Sequence, residues 1–172
     1  MTMQRAWPEV DLSGEWQFTW ATADPPAATD AEALTAAGLP LHPCRVPGNL
    51  ELDLQAIGAI DDPFVGLNMA TLRPLEQAHA WYVRRFTLAE RPAGRAELVF
   101  EGLDCFADVY LNGAHVGSTN NMLVPQRLDV DGALAEHNEL LVHIRPAVDE
   151  ARQFSYPPLV SALRCNVESL YV

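Results

Sequence analysis

Two aspartates, Asp61 and Asp62, stand side by side in a proline-punctuated segment, and paired carboxylates are what glycoside hydrolysis requires. That chemistry needs the two carboxyls to face each other across a sugar, roughly 5–9 Å apart. Adjacent residues of an extended loop point apart, so Asp61-Asp62-Pro63 reads as turn chemistry instead. The histidines at 42, 79, 115, 137 and 143 form no metal-ligand spacing. His143 shares a strand face with Leu141 and is expected to be a half-buried, hydrogen-bonded ring. Cys44, Cys105 and Cys165 are an odd number set far apart, which fits neither a closed disulfide framework nor a zinc site. They read as reduced thiols that pack as small apolar groups. Trp7, Trp16, Trp20 and Trp81 could stack on pyranose rings. Trp16 and Trp20 bracket Phe18 on one strand face and are assigned to the core, which leaves Trp7 and Trp81 as stacking candidates. Nucleophile elbow, Walker loop, dinucleotide glycine motif and His-Glu-x-x-His helix are all missing. The residue chemistry therefore points to a non-catalytic domain, with no catalytic residue, metal site or cofactor expected.

The elements that would position these residues are mostly strands. Between Asp11 and Trp20 the aromatics alternate with Glu15, Gln17 and Thr19, the period of a half-buried strand. After a Pro25-Pro26 loop, Thr29-Asp30-Ala31-Glu32 has the form of a capping box opening a short helix that Gly38 and Pro40 close. Asn49 signals a second short helix, with Glu51 and Asp53 in its first turn and Gly58 at its end. Asp61 to Ala78 is a long irregular loop, and such loops inside a compact domain are usually functional. Strands are then expected over Trp81–Leu88, Arg95–Leu103, Asp104–Leu111, Ala114–Gly117, Val124–Val130 and Glu139–Arg145. Asn112-Gly113 is a type I′ hairpin signal. Arg84 and Arg85 fall on opposite faces of one strand, which requires a bulge or a paired, partly buried guanidinium. In the last strand Leu140, Val142 and Ile144 share a face opposite Leu141, His143 and Arg145. Six or seven strands, with two short helices confined to early connections, make this an all-β antiparallel sandwich or barrel.

Composition excludes other classes. The 172 residues carry 11 arginines, no lysine and 23 acidic residues, a net charge of −12. That balance argues against binding nucleic acid, whose affinity comes mainly from basic side chains. A hydrophobic content of 49% excludes a disordered acidic tail. No apolar run approaches the roughly 20 residues needed to cross a bilayer, so no membrane partner is expected. Met1 to Glu15 shows no apolar signal core, and a cytoplasmic location is the expectation.

In order, the chain reads Leu12-Ser13-Gly14-Glu15-Trp16, then Val46-Pro47-Gly48-Asn49, then Ile60-Asp61-Asp62-Pro63-Phe64 with Gly66 and Asn68. Trp81-Tyr82 and Phe86 follow, then Phe100-Glu101-Gly102-Leu103-Asp104 and Val109-Tyr110-Leu111-Asn112-Gly113. The series closes through Val116-Gly117 and Leu128-Asp129-Val130 to Asn138-Glu139-Leu140. This ordered set resembles the N-terminal sugar-binding domain of glycoside hydrolase family two, in its β-mannosidase-like branch, over about Leu12 to Val172.

The resemblance implies a jelly-roll β-sandwich of the galactose-binding type, here a single domain over residues 1–172. It implies a non-catalytic accessory role in a retaining exo-β-glycosidase of β-mannosidase, β-galactosidase or β-glucuronidase type. The two catalytic glutamates of such enzymes lie in a (β/α)₈ barrel, which needs roughly 250 residues and is not in this chain. The expected partners are the carbohydrate substrate of that parent enzyme and downstream domains of the same polypeptide. Glu168-Ser169-Leu170-Tyr171-Val172 resembles the stretch leading into a Gly-Trp-Asp segment whose aspartate reaches the substrate pocket in mannosidase-like relatives. The apolar end of the chain accordingly reads as a cut inside continuing polypeptide. By the same analogy the Asp61–Ala78 loop approaches the parent's active site, and Asp62, Asn68 and Trp81 are the substrate-proximal candidates. Asn68-Met69 departs from the acidic residue that mannosidase-like members carry after this asparagine, which bears on the sugar. Two other functions fit the same fold: an autonomous lectin-like module stacking sugar on Trp81 or Trp7, and a sandwich serving only protein–protein assembly through an exposed apolar patch.

Overall fold

The computed structural model describes residues 9–90 and 94–153. Among these residues eight antiparallel strands form the frame: β1 (Gly14–Ala21), β2 (His42–Val46), β3 (His79–Thr87), β4 (Glu97–Phe100), β5 (Ala107–Leu111), β6 (Ala114–Thr119), β7 (Gln126–Asp129) and β8 (His137–Ile144). Six of them make one sheet in the order β2-β1-β3-β8-β5-β6, and β4 pairs with β7 in a second. The core follows the alternation in the sequence. Trp16, Phe18, Ala80, Tyr82, Val109, Leu111, Leu140 and Val142 face Leu98 of β4 and Leu54 in one cluster. Trp81, Val83 and Leu141 turn to the other face of the large sheet and meet Ala28, Ala31 and Leu34 in a second. Fully burying a side chain such as Phe18 stabilises the fold by about 1.5–3 kcal/mol.

Local signals account for the punctuation. Asn112 and Gly113, at φ of 53° and 79°, form the expected hairpin between β5 and β6. Helix α1 (Ala31–Ala36) is capped by Asp30, whose Oδ1 accepts from the Ala33 amide at 2.7 Å. The helix thus begins one residue later than a box headed by Thr29 requires. Asn49 caps α2 (Leu50–Ala56) as expected, accepting from the Leu52 amide at 2.9 Å.

Three elements escape the sequence pattern. Strand β2 holds Pro43, which lacks an N–H and is tolerated because β2 is the edge of its sheet. Residues Asn68–Gln77, expected to be irregular, form a 3₁₀ helix despite Pro74, and its three-residue period escapes a search for the α-helical one. Helix α3 (Ala147–Ala151) follows β8, so short helices are not confined to early connections.

The arginine pair resolves without a bulge in β3, which pairs regularly with β8 from Ala80 to Thr87. The irregularity lies between Val109 and Tyr110, in the β5–β6 pairing. Arg85 forks onto Glu139 Oε2 through Nε at 2.8 Å and Nη2 at 2.7 Å. The other oxygen of Glu139 accepts from the Ala31 amide at 2.8 Å, placing a carboxylate at the start of α1 where the helix dipole favours it. Arg84, on the opposite face, donates from Nη1 to the Glu15 carbonyl.

Candidate functional site

Strand register decides which loops meet. Ala21 pairs with His79, Ala80 with Ile144, Ala107 with Ile144 and Ala107 with Thr119. The end of β1, the start of β3, the end of β8, the start of β5 and the end of β6 therefore lie in one row. At this end the Asp61–Ala78 segment enters β3, the β6–β7 connection leaves β6, and α3 packs against the 3₁₀ helix.

The Asp61–Ala78 segment is shaped by its own polar side chains. Asp62 Oδ1 accepts from the Phe64 amide at 2.9 Å, the turn chemistry expected of an aspartate before proline. Asn68 Nδ2 donates to the Asp62 carbonyl at 2.9 Å, so the structure brings these two candidates together as a clasp. The clasp closes a tip from which Phe64 and Leu67 project with 80% and 85% of their surface exposed. The β6–β7 connection is built the same way. Asn121 Oδ1 accepts from the Leu123 amide at 2.9 Å, and Gln126 Nε2 donates to the carbonyls of Asn121 and Val124 at 2.9 and 3.1 Å. Met122, Leu123 and Val124 are left facing solvent.

Trp81 is a correction. It is 0% exposed, enclosed by the second core cluster, and therefore offers no face to a sugar. Its ring lies 4.6 Å from that of His143 at an interplanar angle of 8°. Its position two residues into β3, after a long loop, left its side of the sheet open in sequence; α1 packing on that side is what buries it. Trp7 lies outside the described residues, as do Cys165 and the Glu168–Val172 stretch.

His143 is the half-buried, bonded ring anticipated. Its Nε2 lies 2.9 Å from His79 Nδ1, one ring donating and the other accepting. Burial, then the neighbouring His79, push His143 down to about 4, with Arg145 acting the same way and Asp108 opposing. His79 is lowered too, chiefly by burial, against the pull of Asp149 and Glu150. Arg145 ties these groups together, with Nε 3.3 Å from Asp108 and Nη1 2.5 Å from Glu150.

One buried carboxyl was not anticipated as such. Asp53, placed by sequence in the first turn of α2, is only 7% exposed, and Tyr82 Oη donates to its Oδ2 at 3.2 Å. Burial raises the Asp53 carboxyl, and burial together with Asp53 raises the Tyr82 phenol. Burial pushes the nearby Cys44 thiol up to about 12, which keeps it an unreactive, packed thiol. Only the apolar surroundings of α2 could have signalled this, and they depend on how the helix docks. Among the described residues no group of three or more His, Cys, Asp or Glu could hold a metal ion, and no helix is long and apolar enough to cross a membrane.

The family described as the glycosyl hydrolase 2 galactose-binding domain-like domain matches residues 16–165. Beta-mannosidase B of Thermothelomyces thermophilus is 36% identical over 135 residues, covering 77% of this chain and 14% of the relative. Beta-mannosidase A of Emericella nidulans is 40% identical over 99 residues, 55% of this chain and 10% of the relative. Among solved structures, the β-D-mannosidase from Dictyoglomus thermophilum superposes with a TM-score of 0.69 at 30% identity, over 86% of this chain and 17% of that one. The β-glucuronidase of Ruminococcus gnavus shares the fold, with a TM-score of 0.53 at 20% identity over 81% of this chain and 23% of that one. The chain thus spans less than a quarter of the length of these proteins.

Proposed function

The chain belongs to the galactose-binding-like domain family of glycosyl hydrolase 2, and from that membership we propose that it is the non-catalytic accessory domain of a longer retaining exo-β-glycosidase of β-mannosidase type. The observation that carries the reading is the asymmetry of the match: 77% of this chain aligns with a β-mannosidase of which it spans 14%. In a retaining enzyme one carboxylate attacks the anomeric carbon while another protonates the leaving oxygen and later deprotonates water. Both of those groups lie in the rest of the parent polypeptide. This domain's task is to wall the pocket and hold the Asp61–Ala78 loop at its rim. Asp62 and Asn68 shape that loop by clasping its backbone, and their remaining carboxylate and amide oxygens are free to meet a sugar hydroxyl. The lectin-like reading loses its best platform in the buried Trp81.

The test is direct. The 172-residue chain incubated with nitrophenyl β-mannoside, β-galactoside and β-glucuronide releases no nitrophenol, whereas a longer polypeptide carrying it hydrolyses the mannoside. Turnover by the isolated chain overturns the accessory role. A longer polypeptide that cleaves only another β-glycoside overturns the mannosidase type.

A further inference from the structure

Asn112-Gly113, which turns the β5–β6 hairpin, is the only Asn-Gly pair in the sequence. Asparagine before glycine deamidates readily, because glycine lacks a Cβ and lets its backbone nitrogen swing onto the asparagine Cγ. That nitrogen attacks the carboxamide carbon, a C–N bond closes a succinimide ring, and the side-chain nitrogen leaves as ammonia. Water then opens the ring at one of its two carbonyls, leaving aspartate or isoaspartate with no change of oxidation state. The reaction needs a Cγ that can turn towards Gly113 and a side-chain nitrogen free to depart. The native fold withholds both. Asn112 Nδ2 donates to the Ala133 carbonyl at 2.7 Å and to Asn138 Oδ1 at 3.0 Å. Asn112 Oδ1 accepts from the Glu139 amide at 2.8 Å, and the Asn112 amide donates to the Glu139 carbonyl at 2.8 Å. Both donors and the oxygen of the carboxamide are engaged, so its plane turns only when three bonds break. Asn138 is itself fixed, 4% exposed and bonded twice to Ala135. Asn112 and Gly113 are nevertheless exposed, so water is at hand once the hairpin opens.

We propose that Asn112-Gly113 is a latent modification site: the bonds to Ala133, Asn138 and Glu139 keep the pair intact, and a chain whose hairpin has opened deamidates there and cannot close it again. The product does not fit the native site. An ionised aspartate has no donor, so its oxygens face the Ala133 carbonyl and Asn138 Oδ1, acceptors that the native amide meets with two donors. Isoaspartate adds a methylene to the backbone of a two-residue turn whose length sets the β5–β6 register. Glu139 belongs to β8 and Ala133 to the β7–β8 connection, so the loss reaches beyond the hairpin itself. The site needs no partner but water, and it stands independently of the accessory-domain reading.

The 172-residue chain is incubated at mildly alkaline pH, folded in buffer and unfolded in urea, and peptide mass spectrometry follows Asn112 as amide becomes acid. The expected rate in the folded chain is roughly a hundredfold or more below the rate in urea, because the hairpin must open before the ring can close. Equal rates overturn the protection, and this comparison needs no variant. Asn138→Ala withdraws one of the two acceptors of Asn112 Nδ2 and is expected to raise the folded rate severalfold while the rate in urea stays the same. No rise overturns the role of the network. Gly48→Ala is the control for general destabilisation, placed beside β2 at the opposite edge of the sheet from β6. An equal rise there assigns the protection to overall stability and likewise overturns the network's role. Asn112→Asp supplies the product directly and is expected to lower the urea midpoint; an unchanged midpoint overturns the claim that the product does not fit.

Discussion

Replacing His143 by phenylalanine tests the account of the histidine pair. In the native chain His143 is stacked on Trp81 and its Nε2 lies 2.9 Å from His79 Nδ1. Burial holds it at about 4 in the folded state against 6.5 in the unfolded one. Between those values the unfolded chain takes up a proton that the folded chain refuses, so the stability this group contributes is present above pH 6.5 and is lost as pH falls toward 4. One proton corresponds to about 1.4 kcal/mol per pH unit, so acidification from pH 7 to 5 costs up to about 2 kcal/mol. Partial solvent access to the half-buried ring reduces this to about 1 kcal/mol. His143→Phe keeps an aromatic ring against Trp81, removes the titrating site and leaves His79 without its partner. The variant is therefore expected to be about 1 kcal/mol less stable at pH 7 and to lose less stability than the native chain on going to pH 5. Urea unfolding at pH 7, 6 and 5, followed by circular dichroism, measures both slopes, and the carboxylates common to the two proteins cancel in the difference. Stabilities that fall in parallel from pH 7 to 5 would refute the reasoning.

Three further substitutions probe the frame. Asn138, 4% exposed, accepts from the Ala135 amide at 2.8 Å and from Asn112 Nδ2 at 3.0 Å, and donates to the Ala135 carbonyl at 2.8 Å. Asn138→Ala removes the partner of the Ala135 amide and carbonyl, while Asn112 Nδ2 keeps the Ala133 carbonyl at 2.7 Å, and is expected to cost about 2–3 kcal/mol, read as a lower urea midpoint. Gly48→Ala would set a Cβ 2.4 Å from the Arg45 carbonyl oxygen, a clash with backbone that no side-chain movement relieves. Its expected cost is above about 2 kcal/mol. Gly58→Ala, at φ of +72° with open space around it, is expected to cost about 1 kcal/mol; thermal melts showing the reverse order would contradict this ranking.

What the sequence determined by itself lies within a few residues of each signal. Asn49 caps α2, Asn112-Gly113 turns the hairpin, and the alternation Leu140, Val142 against Leu141 puts β8 between two cores, because capping, positive φ and side-chain period are local properties. The ordered motifs from Leu12 to Leu140 carried the family for the same reason, each being a short fixed string. Tertiary structure decided everything that depends on partners distant in the chain. Trp81 and Asp53 are buried because α1 docks on one face of the sheet and α2 packs into the cluster on the other. Arg85 finds Glu139, 54 residues away, only through the β3–β8 register. The start of β3, the end of β8 and the start of β5 share one end of the molecule because β8 inserts between β3 and β5 and aligns their ends in a row. Strand order is set by the summed packing of the whole sheet, which no window of neighbouring residues contains.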